Sequence, residues 1–235
     1  MIKEAIQYIV GLGNTKIEHV DGLPYSTNKL YRIEEPVANK LKVHSLSGLV
    51  EYLKSTFDVD HKLMVHVESP TEVNVFSKLN YDRNREYLIK ADAMVPQFQF
   101  EKWYDPESFI IKLQSVFVKN EDRDVMLRVV GNITEEDVRT VGDNGYSQTV
   151  TAKVGVATVG QAEVPNPVYL SPYRTFVEVQ QPESPFVFRM KNGPVCALFE
   201  ADGGAWQLEA IGNVKSYLAD ALAAEIEKGQ IVIIA

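Results

Sequence analysis

Cysteine is nearly missing from this chain: one in 235 residues, Cys196. A single thiol closes no internal disulfide, so the stapled architecture of small exported domains is excluded. Cys196 lies in the apolar run Val195-Cys196-Ala197-Leu198-Phe199 with no histidine or other base near it in sequence, which makes it a small core residue rather than a reactive thiol. Long hydrophobic runs are missing too. No segment reaches the roughly 20 apolar residues of a membrane-spanning helix. The first residues place Glu4 inside an apolar stretch without the small-residue cleavage site of a secretory signal. Basic charge is in deficit, with 24 Lys and Arg against 32 acids and a net charge of −8. A protein that coats phosphates shows the opposite balance. The expectations are a cytoplasmic protein, no membrane partner, and nucleic acid disfavoured by charge.

The signatures of catalysis are also absent. None of His19, His44, His61 and His66 forms the helical pair of a zinc hydrolase, and no cysteine pair supplies thiolate ligands, so neither a metal nor a cofactor is expected. His66 and Glu68 would share one face of a strand, with Lys62 near them, and read as a solvated sheet face. Gly11-Leu12-Gly13-Asn14 follows a helical stretch instead of opening one, the reverse of a phosphate loop. Gly203-Gly204 has no Lys-Ser or Lys-Thr after it and reads as a hairpin turn. Ser45, Ser47, Ser108 and Ser171 lack the elbow of a serine hydrolase and suit caps and turns. The acidic groups Asp58 with Asp60, Glu121-Asp122 with Asp124, and Glu135-Glu136-Asp137 fall at predicted element ends, where acids cap helices or face water. No catalytic residue is assigned, and the expectation is a protein that is not an enzyme.

What is present is the mixture of a globular chain, 45% hydrophobic and 24% charged. Residues 2–12 carry Ile2, Ala5, Ile6, Ile9 and Val10 at helical spacing, a helix too short to hold alone. Residues 17–33 read as a hairpin-like pair around Asp21-Gly22. Ser45 is an N-cap for a helix to Phe57, with Leu46, Leu49, Val50, Leu53 and Phe57 inward. Strands over residues 61–68, 71–78 and 85–93 follow. Asp105-Pro106-Glu107 opens a helix to Val118, with cap, first-turn proline and acid in order. Residues 121–133 suit a helix weakened by Gly131, and Thr134 begins a capping pattern.

Asp143-Asn144-Gly145 marks the expected boundary between lobes, residues 1–142 and 143–235. Beyond it comes a strand over residues 146–159. Residues 172–210 read as four strands separated by the turns at 181–185, 191–194 and 202–204, then a helix over 211–226 and a strand over 230–235. The fold class is α+β: an N-terminal helix/strand lobe, then a mainly antiparallel β-meander lobe with a C-terminal helix and strand.

The most aromatic stretch holds Phe98, Phe100, Trp103 and Tyr104, with Tyr81, Arg83, Arg85, Tyr87 and Lys90 upstream. Phe98 and Phe100 suit a core. Tyr81, Arg83, Arg85, Trp103 and Tyr104 form the candidate interaction surface, since such residues mark protein interfaces and can stack nucleic-acid bases.

Several stretches together, residues 45–53 (SLSGLVEYL), Asp143-Asn144-Gly145, residues 172–179 (PYRTFVEV), 181–186 (QPESPF) and 198–206 (LFEADGGAW), resemble a group of uncharacterised bacteriophage and prophage proteins of Gram-positive bacteria. That resemblance covers nearly the whole chain. In layout the chain is also similar to the YfdQ-like phage proteins. The resemblance brings no catalytic motif. It implies a phage-encoded protein in the cytoplasm of a bacterial host, in the setting of replication or recombination genes. With the missing signatures, the expectation is a non-enzymatic accessory protein that acts by self-association and macromolecular binding, a homo-oligomer with phage or host protein as further partner. The alternatives are a self-assembling virion or shell protein and a single-strand nucleic-acid-binding helper for recombination or replication.

Overall fold

The computed structural model describes residues 2–20, 23–26, 37–58, 62–80, 83–131, 139–143, 148–154, 158–163, 166–191 and 195–235. They form an α+β protein whose two compact units part at Ala38/Asn39.

The first unit holds α1 (Ile2–Gly13), β1 (Ile17–Val20) and β2 (Leu23–Ser26). The helical spacing in the sequence is realised as α1, and every residue of it is exposed. Strands β1 and β2 pair antiparallel with Val20 opposite Leu23, as a hairpin requires. Asp21 and Gly22 lie outside the described residues.

The second unit is built on a five-stranded mixed sheet in the order β13-β4-β5-β6-β3. Its strands are β3 (Leu41–Val43), β4 (Leu63–Ser69), β5 (Glu72–Ser77), β6 (Tyr87–Asp92) and β13 (Ile231–Ile234). β4, β5 and β6 are the three strands expected there and pair antiparallel, while β13 and β3 join parallel at the edges. Residue alternation sends Val65, Val73, Val75, Ile89 and Ala91 into a core, where α2 (Leu46–Ser55) and α5 (Trp206–Ala221) cover them. Ser45 caps α2 as expected, its hydroxyl accepting from Gly48 N at 3.1 Å. Thr56, with φ 48°, then turns the chain out of the helix. Phe57 is consequently 87% exposed, not inward.

A second core lies under the three-stranded antiparallel sheet β10 (Val168–Leu170), β11 (Ser184–Lys191) and β12 (Val195–Glu200). Helices α3 (Pro106–Val116) and α4 (Glu121–Gly131) pack Phe109, Leu113, Met126 and Val130 against Phe186, Phe188 and Leu198. Asp105 starts α3 as anticipated, accepting from Ser108 N at 2.9 Å. Residues 121–131 are helical despite Gly131. The strand expected over 146–159 is two strands, β8 (Gln148–Val154) and β9 (Thr158–Glu163), in a sheet with β7 (Arg139–Asp143). Asn144, Gly145 and residues 134–137 lie outside the described residues. The five-stranded sheet draws β3–β6 from before residue 142 and β13 from after it, so the two sides of the expected 142/143 boundary share one hydrogen-bonded sheet.

The four-strand reading of residues 172–210 is corrected at both ends. Among the described residues of that stretch, β11 and β12 are the strands. At the far end Asp202 takes Gly204 N at 3.0 Å on one carboxylate oxygen and Trp206 N at 3.2 Å on the other. Gly203 and Gly204 supply positive φ, so the turn feeds α5 and places Trp206 at its start. Helix α5 ends at Ala221, and α6 (Ala223–Glu227) follows.

At the near end, residues 171–183 cross as an irregular strap between the two cores. Tyr173 N donates to Val116 O at 2.8 Å and Val118 N to Ser171 O at 2.9 Å, tying the strap to the end of α3. Phe176, 1% exposed, enters the core beneath the five-stranded sheet. Glu178 receives Leu46 N at 3.1 Å and Ser47 N at 2.8 Å, a carboxylate on the free N–H groups that open α2. A buried backbone without a ladder still needs partners. Gln181 provides them: its Oε1 accepts from Arg174 N at 3.0 Å and Thr175 N at 3.2 Å, and its Nε2 donates to Phe176 O at 2.9 Å and Val179 O at 3.2 Å.

Candidate interaction surface

With α2 and α5 on one face of the five-stranded sheet, the alternate residues line the other. Strand register sets two rows across it. One runs Lys42, Lys90, Asn74, His66, Ile234; the next runs Tyr87, Phe76, Met64, Val232. The surface thus has a charged end near the β4–β5 turn and an aromatic end toward the start of β6.

At the charged end, Lys90 Nζ pairs with Glu72 at 2.8 Å and Lys42 Nζ with Asp92 at 2.8 Å. The Lys90 ammonium, bonded to the Glu72 carboxylate, holds that carboxyl below its ordinary range, and Lys90 is raised by the same bond. The bond from Lys42 does the same for Asp92. Asn74, 3% exposed, donates from Nδ2 to Glu68 at 2.6 Å and to Glu72 at 2.9 Å. At the aromatic end the Arg85 guanidinium lies 4.9 Å from the Phe76 ring centre, Tyr87 packs on Phe76 at 5.3 Å, and Lys40 Nζ sits 5.7 Å from the Tyr87 ring.

His66 and Glu68 do share this face of β4, but with different neighbours. His66 meets Phe76 edge-on at 6.3 Å, and Glu68 accepts from Asn74. Among the described residues no group of three or more His, Cys, Asp or Glu converges as metal ligands.

The candidate surface residues divide between the two sheets. Arg85 belongs to the aromatic end just described. Arg83 is exposed in the adjoining turn, with φ 63°, its N–H donating to Asn80 O at 3.0 Å. Tyr81 lies outside the described residues. Tyr104 instead bridges β12, exchanging two 2.8 Å backbone hydrogen bonds with Cys196, and its ring packs on Phe98 at 5.4 Å. Phe98, Phe100 and Tyr104 all pack against the second core. Trp103, half-buried, carries Lys191 Nζ 3.9 Å from its ring and Phe199 edge-on at 6.2 Å. Asn74, Phe76, Glu72 and Lys42 were not singled out from sequence. The signal for them was the pairing of the two runs flanking Ser69-Pro70, which sets Asn74 opposite His66.

One other cluster is internal. Arg174, 8% exposed, donates to Glu200 at 3.1 Å and to the Ser184 hydroxyl, and its guanidinium stacks 4.0 Å from the Trp206 ring centre. Ser184 in turn donates to Asp202 at 2.8 Å. Burial pushes Arg174 down to about 10, opposed by Glu200 and Asp202, so it stays charged at neutral pH. Ser184 is 2% exposed; this serine–aspartate–arginine group locks the strap to the start of α5. Cys196 is fully buried, as its apolar setting implies, and burial pushes its thiol up to about 12. An open depression of about 570 Å³ on α4 is lined by Glu121, Asp124, Val125, Leu127 and Arg128.

No family model, curated protein or solved structure matches the chain.

Proposed function

We propose that this is a non-enzymatic, phage-encoded accessory protein that acts inside the bacterial host by self-association and macromolecular binding. One observation carries the reading: α1 presents Ile2, Ile6, Tyr8, Ile9, Val10 and Leu12, each more than half exposed, on a helix with no buried residue. A 12-residue helix is marginal alone in water and gains its stability from an apolar face against a partner. The partner is a second copy of the chain. The apolar positions recur over three turns, so two such faces are complementary to each other. The helix carries one Lys and one Glu, so two copies meet there without the like-charge repulsion that a net −8 imposes elsewhere. Six side chains from each copy at roughly 1.5 kcal/mol apiece supply about 18 kcal/mol, against an association cost of about 10 kcal/mol, which places the pair in the micromolar range.

Light scattering on the full chain at micromolar to tens of micromolar concentration tests this. The expected mass is a multiple of the chain mass, reduced to one chain by Ile6→Glu with Ile9→Glu. A single-chain mass for the unaltered protein across that range overturns the reading.

A further inference from the structure

The outer face of the three-stranded sheet carries cations without acids, in a chain of net charge −8. Its inner face is the second core, covered by α3 and α4. Alternation sends Val187, Arg189 and Lys191 of β11 outward, with Val195, Ala197 and Phe199 of β12. Strand register sets Phe199 beside Val187, Ala197 beside Arg189, and Val195 beside Lys191. The bridge between Tyr104 and Cys196 places Trp103 next to Ala197 on the same face, where Phe199 meets its ring edge-on at 6.2 Å. Lys191 is exposed, and Arg189, Phe199 and Trp103 are half-buried, so each is open to solvent. On the five-stranded sheet Lys42 and Lys90 are each paired with a carboxylate. Here Arg189 donates to the backbone oxygen of Phe188 at 3.0 Å, and Lys191 Nζ lies 3.9 Å from the Trp103 ring centre. Neither cation meets a carboxylate among the described residues.

From this we infer that the outer face of the three-stranded sheet binds single-stranded DNA. Arg189 and Lys191 take two backbone phosphates, charges that no carboxylate of the face competes for. Phe199 and Trp103, with Val187 and Val195 around them, take the flat faces of unpaired bases, a contact indifferent to sequence. A duplex keeps its base faces stacked inside and offers the rings nothing. An acidic peptide supplies the charge but no planar ring. The outward side chains include no hydrogen-bond acceptor for a ribose 2′-hydroxyl, which favours DNA over RNA. The net negative charge of the whole chain opposes a polyanion, so binding is confined to low salt. The site is on the three-stranded sheet and does not depend on pairing through α1.

The test is fluorescence anisotropy of a labelled oligothymidylate of about 12 nucleotides, titrated with the full-length protein from about 20 to 200 mM salt. Saturable binding is expected at the lowest salt. The logarithm of the binding constant should fall against the logarithm of salt with a slope of about −1.4, about 0.7 for each of two phosphates. Lys191→Gln and, separately, Arg189→Gln are expected to halve that slope while the urea midpoint stays in place. Trp103→Leu is expected to weaken binding about tenfold with the slope kept. A strand of equal length without bases should bind the unaltered protein more weakly by a similar factor, a measurement that needs no variant to fold. No saturable binding up to about 100 μM protein, a slope unchanged in both glutamine variants, or equal binding of the baseless strand or of polyglutamate overturns the site. Tighter binding of oligouridylate than of oligothymidylate overturns the assignment to DNA.

Discussion

Helix α1 and the strap over residues 171–183 make opposite use of their sequences. α1 has the regular apolar spacing of an amphipathic helix, forms that helix, and buries none of it. The strap has no regular secondary structure, yet it buries Ser171, Arg174, Thr175, Phe176 and Gln181, and its bonds reach α2, α3, the β4–β5 turn through Pro70, and α5 through Asn213. Periodicity reports which face an element can bury, and says nothing of whether its own chain supplies the other side. A segment without periodicity can still be the junction between two cores, if side chains replace the ladder that its backbone lacks. The regular element therefore buries none of its residues, and the irregular one holds the fold.

Gln181→Leu breaks that contrast most severely. The leucine keeps the volume and removes four hydrogen bonds to the backbone, three of them to buried groups. With buried groups costing about 1–3 kcal/mol each when unmet, and some relaxing toward water, a loss of about 3 kcal/mol is expected. Urea denaturation should show the midpoint fall with the slope kept, while the solution mass stays as in the unaltered chain because α1 is untouched. A midpoint within error of the original would mean that the strap backbone finds its partners without Gln181.

Acid should separate the two regions in a second way. Burial works against ionising Asp202, but the Gly204 and Trp206 N–H groups, the Ser184 hydroxyl and the Arg174 charge outweigh it and hold its carboxyl below the ordinary range. Glu72, Asp92 and Asp105 are held low as well. A carboxyl depressed in the folded state contributes stability that is fully present above its unfolded pKa of about 4, and that stability is lost as pH falls through the folded value. Stability should therefore be level through neutral pH and decline below about 4. Asp202→Asn keeps a capping oxygen and removes the titration, so its stability at neutral pH falls by about 1 kcal/mol or less, and its profile below pH 4 is flatter. An unaltered acid profile in that variant would remove Asp202 from the account.

The parts of the fold legible in sequence were those governed by neighbours along the chain. Ser45 and Asp105 cap the helices expected of them, and Ser69-Pro70 joins the two strands it separates. The misreadings came where a local pattern had two physical outcomes. Phe176-Val177-Glu178-Val179 alternates like a strand, but Val177 is 71% exposed and no strand among the described residues pairs with the segment. Asp202-Gly203-Gly204 suits a hairpin turn equally well, and the decision rests on which N–H groups the Asp202 carboxylate reaches. The candidate interaction surface was half legible. Arg85 and Tyr87 are on it because they flank the start of β6. Asn74 was invisible because its surroundings come from Glu68 across the strand pair. Trp103 and Tyr104, close to Arg85 in sequence, attach to the other sheet, since residues 93–104 carry the chain from β6 to β12.

The smallest change sharpens the comparison from the α1 side. Gly11 lies inside α1, and a methyl group added there meets nothing within 4 Å. Alanine in a helix interior is favoured over glycine by about 1 kcal/mol, so Gly11→Ala should raise helicity without disturbing the second unit. If two copies pair through α1, part of that gain appears as tighter association, up to about fivefold, since 1.4 kcal/mol is a factor of ten. The urea midpoint of the cores should not move, because α1 contributes no buried residue to them. Tighter self-association with an unchanged midpoint is the expected pair of results. A rise in the midpoint with no change in association would instead mean that α1 folds back onto its own chain, and the contrast between the regular element and the strap would be lost.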